Sequence, residues 1–282
     1  MRHDRRNERR GSFCEAGFTL VELMVGIAVA GLVMIAAYGA LFGSHRAIQR
    51  VTVRVDARQA SRAAVQLLER DIRMAGSGWG RMAVQTSNNG AVLAIDPVDP
   101  GPGSANGCDS VSIIGGWDVS TALSAAMANV TATLKVASIA GFAAGDLVVI
   151  TNGASAHLFQ VTSTDAATTT LLHAASSVLN VSGGHAGWPV GGYKIGALAY
   201  RATWITYQVD STSYRKPSLV RREYGKPSRI VAYNVPMFTI RYRLQDGSLT
   251  RNPVDLSMID KIVPVVRTMA SLPGRAAQPD SS

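Results

Sequence analysis

The chain has two cysteines in 282 residues, Cys14 and Cys108. They form no CxxC pair and cannot build a disulfide framework, so any fold must rest on its core. Five histidines are present, His3, His45, His157, His173 and His185, with no HExxH and no pair at close metal-ligand spacing. That leaves no zinc signature. There is no GxSxG elbow and no Walker A loop. The stretch Gly76-Ser77-Gly78-Trp79-Gly80 is no dinucleotide fingerprint, because it follows a helical pattern rather than a strand. The turn from Asp96 to Asp99 holds too few acidic residues for a calcium loop. The expectation is therefore a protein that is not an enzyme and has neither metal nor cofactor.

Aromatic residues are scarce as well, at 6%, while 47% of the chain is hydrophobic and 17% charged. Such a composition suits one globular domain, or one with an added subdomain, beyond any membrane segment. It leans toward a β-rich extracytoplasmic domain. The formal net charge is +9. Part of it lies in the basic residues 1–17, and the one dense stretch beyond runs from Arg215 to Arg229. We read that stretch as a solvated strand edge and turn. Nucleic acid is not expected there, because aromatics are not interleaved as a stacking platform.

The richest signal is at the start of the chain. Residues 1–17, MRHDRRNERRGSFCEAG, are polar and basic, and residues 18–42 form an apolar run with one charge, Glu22. About 20 apolar residues span a bilayer as a helix. Arginines before the run favour a cytoplasmic N-terminus. The run exceeds a signal-peptide core and no cleavage site follows it. A plain anchor leaves Glu22 unexplained, since a charge on a spanning helix is costly, roughly 2.5–3.5 kcal/mol at its centre and less near its ends, where Glu22 lies one turn in.

EAG-FTLVELMVGIAVAG resembles the prepilin processing and methylation motif of type IV pilins and type II secretion pseudopilins. Gly17 matches the glycine before the scissile bond. Phe18 matches the residue that becomes the N-methylated amino terminus. Glu22 matches the acidic fifth residue of the mature chain. The resemblance implies cleavage by a prepilin peptidase and assembly with other minor and major pilins on an inner-membrane platform, with a tip adhesin among the candidate partners. The expected localisation is the inner membrane, single pass, with a periplasmic C-terminal domain, and then the pilus. Glu22 would neutralise the Phe18 amine of a neighbouring subunit, since pairing offsets much of the cost of burying either charge.

No proline occurs from residue 18 to 75, and Ile48, Val51, Val55, Ala60, Ala64, Leu67 or Leu68, and Ile72 recur at helical steps. An unbroken helix over 18–75 would be roughly 85 Å long. Gly39 or Gly43 is the expected place for a bend. Gly76 onward ends the helix.

Beyond residue 76 short β-like runs dominate: Ala91–Ile95, Ser110–Ile114, Ala132–Val136, Leu147–Thr151, Leu158–Thr162, Thr169–Leu172, Tyr193–Ile195, Trp204–Val209, Ser218–Arg222, Ile230–Ala232 and Met237–Leu244. Residues 67–80 and 207–248 are similar to PilW-type minor pilins, and the size of the chain is large for a major subunit.

The expected fold is α+β, a long N-terminal helix, transmembrane and then amphipathic, packed on an antiparallel sheet. The expected segments are a leader (1–17), a transmembrane and assembly helix (18–42), an amphipathic helix (43–75), a β-rich domain (76–272) with an inserted β-subdomain near 132–174, and a disordered tail (273–282). The expected role is a minor type IV pilin. The alternatives are a minor pseudopilin of a type II secretion system and a membrane-anchored enzyme or binding protein that only mimics the motif.

Overall fold

The computed structural model describes residues 19–101, 108–116, 118–213 and 216–268. The expected cleavage junction, the leader and the 273–282 tail lie outside the described residues. The chain divides into two units, residues 1–52 and 53–282.

The first unit is the apolar part of helix α1 (Leu20–Arg73). Residues Leu20–His45 have a mean hydropathy of 2.4 and none of this surface is buried. This is one helix long and apolar enough to cross a membrane. It runs unbroken through Gly39 and Gly43, so neither interrupts it.

The second unit holds the end of α1 and sixteen strands among the described residues. They are β1 (Val84–Asn88), β2 (Ala91–Ile95), β3 (Val98–Pro100), β4 (Val111–Gly115), β5 (Ser120–Ala122), β6 (Leu134–Lys135), β7 (Leu147–Thr151) and β8 (Ala156–Gln160). The rest are β9 (Ser163–Asp165), β10 (Thr170–Leu172), β11 (Leu198–Asp210), β12 (Ser218–Glu223), β13 (Arg229–Ala232), β14 (Met237–Leu244), β15 (Leu249–Thr250) and β16 (Ile259–Arg267). With the helix they give the α+β class, a long N-terminal helix and a large, mostly antiparallel sheet.

The spine of the large sheet is β11, 13 residues long. Its first half, Leu198–Ala202, pairs with β7, and Leu198–Tyr200 also pair with β5. Its second half pairs with β4 and β12. One parallel contact, Gln85 with His157, joins β1 to β8. β7 reads Leu-Val-Val-Ile-Thr without polar alternation because both its faces are covered. Val148 and Ile150 enter one apolar cluster with Phe159 and Tyr193, while Leu147 and Val149 enter another with Trp79 and Val84.

The third cluster sits under α1. Ala64 and Leu68 meet Ile205, Tyr207, Phe238, Ile240 and Tyr242. The apolar helix face expected from Ile48 onward is therefore buried only from Ala60. Ile48, Val51 and Val55 remain 60%, 59% and 43% exposed. The helix ends where Gly76, at φ +68°, donates to the Ile114 carbonyl at 2.8 Å.

Four further differences from expectation stand out. The segment 132–174 is not self-contained: β7 and β8 join the large sheet, and only β6, β10 and β9 form a small sheet of their own. Tyr193 makes a single bridge to Met127 rather than starting a strand. The turn beginning at Asp96 contains β3, which pairs with β4. β16 has no counterpart among the strands expected from the sequence. Pro264 interrupts its pattern, yet an edge strand tolerates proline, and β16 pairs only with β14.

Candidate functional site

Of the three residues singled out by sequence, Gly17 and Phe18 lie outside the described residues. Glu22 is present in the first turn of α1. Its Oε2 accepts the Thr19 backbone N–H at 3.0 Å and the Thr19 hydroxyl at 2.8 Å. In return the Glu22 N–H donates to Thr19 Oγ1 at 3.3 Å. This reciprocal pair is a capping box, which satisfies donors that the first turn of a helix leaves free. The motif as read from sequence gives Thr19 no role, although its Thr-x-x-Glu spacing to Glu22 is legible there. The cap uses one carboxylate oxygen of Glu22 for both Thr19 donors. Below it, Gly26 and Ala30 follow Glu22 at helical i+4 steps, and a Cβ added at Gly26 would meet nothing within 4 Å. The chain itself leaves that stripe open to close approach by another helix.

At the other end of α1, Asp71 is 6% exposed. It accepts Tyr207 Oη at 2.7 Å and Arg221 Nε at 2.9 Å. Arg221 also lies 3.5 Å from Glu223. Burial, reinforced by Asp71, pushes the Tyr207 phenol above its ordinary range. This network disperses the basic stretch that looked dense in sequence. Arg221 turns inward, Lys226 pairs with Glu223, and Arg222 Nε reaches Ser228 Oγ at 3.1 Å.

The histidines His157, His173 and His185, widely separated in sequence, meet in the fold. Phe159 has its ring centroid 4.7 Å from those of both His173 and His185. His157 Nε2 contacts the Ala186 carbonyl at 2.8 Å, and its Nδ1 contacts Tyr193 Oη at 2.7 Å. A carbonyl only accepts, so Nε2 carries the proton and Nδ1 accepts the tyrosine hydroxyl. His185 and His173 reach the carbonyls of Leu158 and Val130 through Nε2 in the same way. Burial holds all three below the ordinary histidine value, with His157 lowered to about 4. Their Nε2 atoms tie segments of the domain together. Cys108, 3% exposed, points its thiol at the Pro236 carbonyl at 3.5 Å.

The chain thus combines one helix long and apolar enough to cross a membrane, with a capped carboxylate in its first turn, and a β-rich domain. A family model described as the prokaryotic N-terminal methylation motif matches residues 13–38, which takes in Gly17, Phe18, Thr19 and Glu22. That match supports a type IV pilin-like or pseudopilin precursor, and with it processing by a prepilin peptidase and association with other pilins. No curated protein and no solved structure matches the chain.

Proposed function

We propose that this chain is a minor subunit of a type IV pilus, of the PilW type. A prepilin peptidase cuts after Gly17 and methylates the new amino terminus at Phe18. The mature chain waits in the inner membrane with its β-rich domain in the periplasm. It then enters the filament at or near the tip and helps prime assembly. Its work is binding, not catalysis.

The observation that carries this reading is Glu22 in its place one turn into an apolar helix, inside the matched motif. A lone carboxylate there is unfavourable in lipid. The Phe18 amine of a neighbouring subunit is the partner that would offset it. Thr19 engages Oε2, which leaves Oε1 to accept a second donor. The large β-rich domain favours a minor over a major subunit.

Mass spectrometry of the mature protein from membranes with an active prepilin peptidase is the test. The expected chain begins at methylated Phe18, and an intact Met1 would sink the proposal. Glu22→Ala is expected to leave membrane insertion intact and remove the subunit from filaments. Normal incorporation of that variant would refute the pairing role.

A further inference from the structure

In the antiparallel pair β14–β16, residues opposite each other share a face. Phe238 with Val266 and Tyr242 with Ile262 pack into the core under α1. The alternate pairs, Arg241 with Val263 and Arg243 with Lys261, point the other way, as do Thr239 with Val265 and Met237 with Arg267. All four cations are exposed, and Val263 and Val265 keep 36% and 37% of their surface in solvent. Arg243 is held by Asp260 at 2.6 Å. Among the described residues, Arg241, Lys261 and Arg267 take part in no ion pair. At 3.3–3.4 Å per residue, the cations spread along about 20 Å of sheet.

On this face Val263 and Val265 lie side by side between Lys261 and Arg267, with Arg241 opposite Val263, so three cations without an ion pair among the described residues frame a half-exposed apolar strip. A second copy of this chain is a poor occupant, because the chain stays net positive even without residues 1–17 and this face would meet like charge. Single-stranded nucleic acid would find no aromatic platform here to stack on, and duplex DNA is an outcome of the test. A membrane surface lacks the bulky apolar side chains that enter lipid, since valine and threonine fill the gaps between cations. An acidic protein surface fits best. Arginine bonds carboxylates in a fork, and the valines supply dry area between the pairs.

We propose that the β14–β16 outer face docks an acidic face on the globular domain of a different filament subunit. Arg241, Lys261 and Arg267 set the choice of partner. This rests on the filament reading above.

The test co-expresses the full-length chain singly with each other methylation-motif chain of its host and measures co-purification in detergent. At least one partner with an acidic domain is expected. Arg241→Glu with Arg267→Glu should weaken its capture about tenfold or more. Arg241→Lys with Arg267→Lys should retain most of it, and raising salt from about 0.1 M to about 0.5 M should lower it. Unchanged capture by the glutamate variant overturns the proposal. So does capture of none of these chains, or tighter binding of duplex DNA or phosphatidylglycerol vesicles through the same residues. N-terminal sequencing of the same samples separates the two readings. A chain that keeps Met1 overturns the filament reading and this one with it. A chain that begins at Phe18 but docks normally as the glutamate variant overturns this one alone.

Discussion

The Tyr207 hydroxyl donates a 2.7 Å hydrogen bond to Asp71 Oδ2, fastening the last turns of α1 to the middle of β11. Arg221 Nε, from β12, donates to the same oxygen at 2.9 Å. One carboxylate therefore joins the helix to two neighbouring strands. The side chains of Asp71 and Arg221 are 8% and 19% exposed, so the pair is weakly screened.

The two ends of that network should respond unequally. Tyr207→Phe removes one bond to a charged acceptor and leaves Asp71 with Arg221, a loss of about 1–2 kcal/mol. Asp71→Ala leaves the Tyr207 hydroxyl without its acceptor and Arg221 with Glu223 alone, a loss of about 3 kcal/mol. Thermal unfolding of the mature protein in detergent reads the difference, and equal losses would show that Asp71 does not organise the joint.

The histidine cluster makes the domain sensitive to acid. His157 titrates near 4 in the fold, below its ordinary value of 6.5, chiefly because burial disfavours the charged ring. A depressed histidine binds its proton more readily unfolded than folded. Its contribution is therefore complete above about 6.5 and is lost as pH falls toward about 4. His173 and His185 shift in the same direction. Up to about 3 kcal/mol from His157 alone should disappear over that window. Melting temperature against pH checks this, and a His157→Gln protein should show a shallower slope. A flat profile for the unaltered chain would rule out the cluster as the source.

Thr19 caps the same helix turn that presents Glu22. Thr19→Val should cost the helix start about 1 kcal/mol. Amide hydrogen exchange over residues 20–23 should quicken, with the rest of α1 unchanged. Unaltered protection there would mean that the cap contributes nothing.

Gly76 has the left-handed φ of +68°, and a Cβ there would lie 1.9 Å from the Gly80 carbonyl oxygen. Gly76→Ala should destabilise the domain by about 2 kcal/mol or more, since both strain and overlap act at once. Gly80→Ala is the comparison, because its added Cβ would meet nothing within 4 Å. Similar melting temperatures for the two variants would contradict the steric argument.

What the sequence by itself determined is local. A proline-free apolar run, one carboxylate a turn inside it and a glycine-rich stop dictate the helix, its start and its end, because each acts through neighbours within a few residues. The β-branched run Leu147–Thr151 and the alternating run Met237–Leu244 were legible for the same reason. The tertiary structure decided everything that depends on distant partners. It made β11 the spine, drew β7 and β8 out of the 132–174 segment into the large sheet, and let Pro264 lie in an edge strand. It also brought His157, His173 and His185 together and turned Arg221 inward to Asp71. Those outcomes follow from strand pairing and from burying charge beside charge, energies that no local pattern of residues encodes.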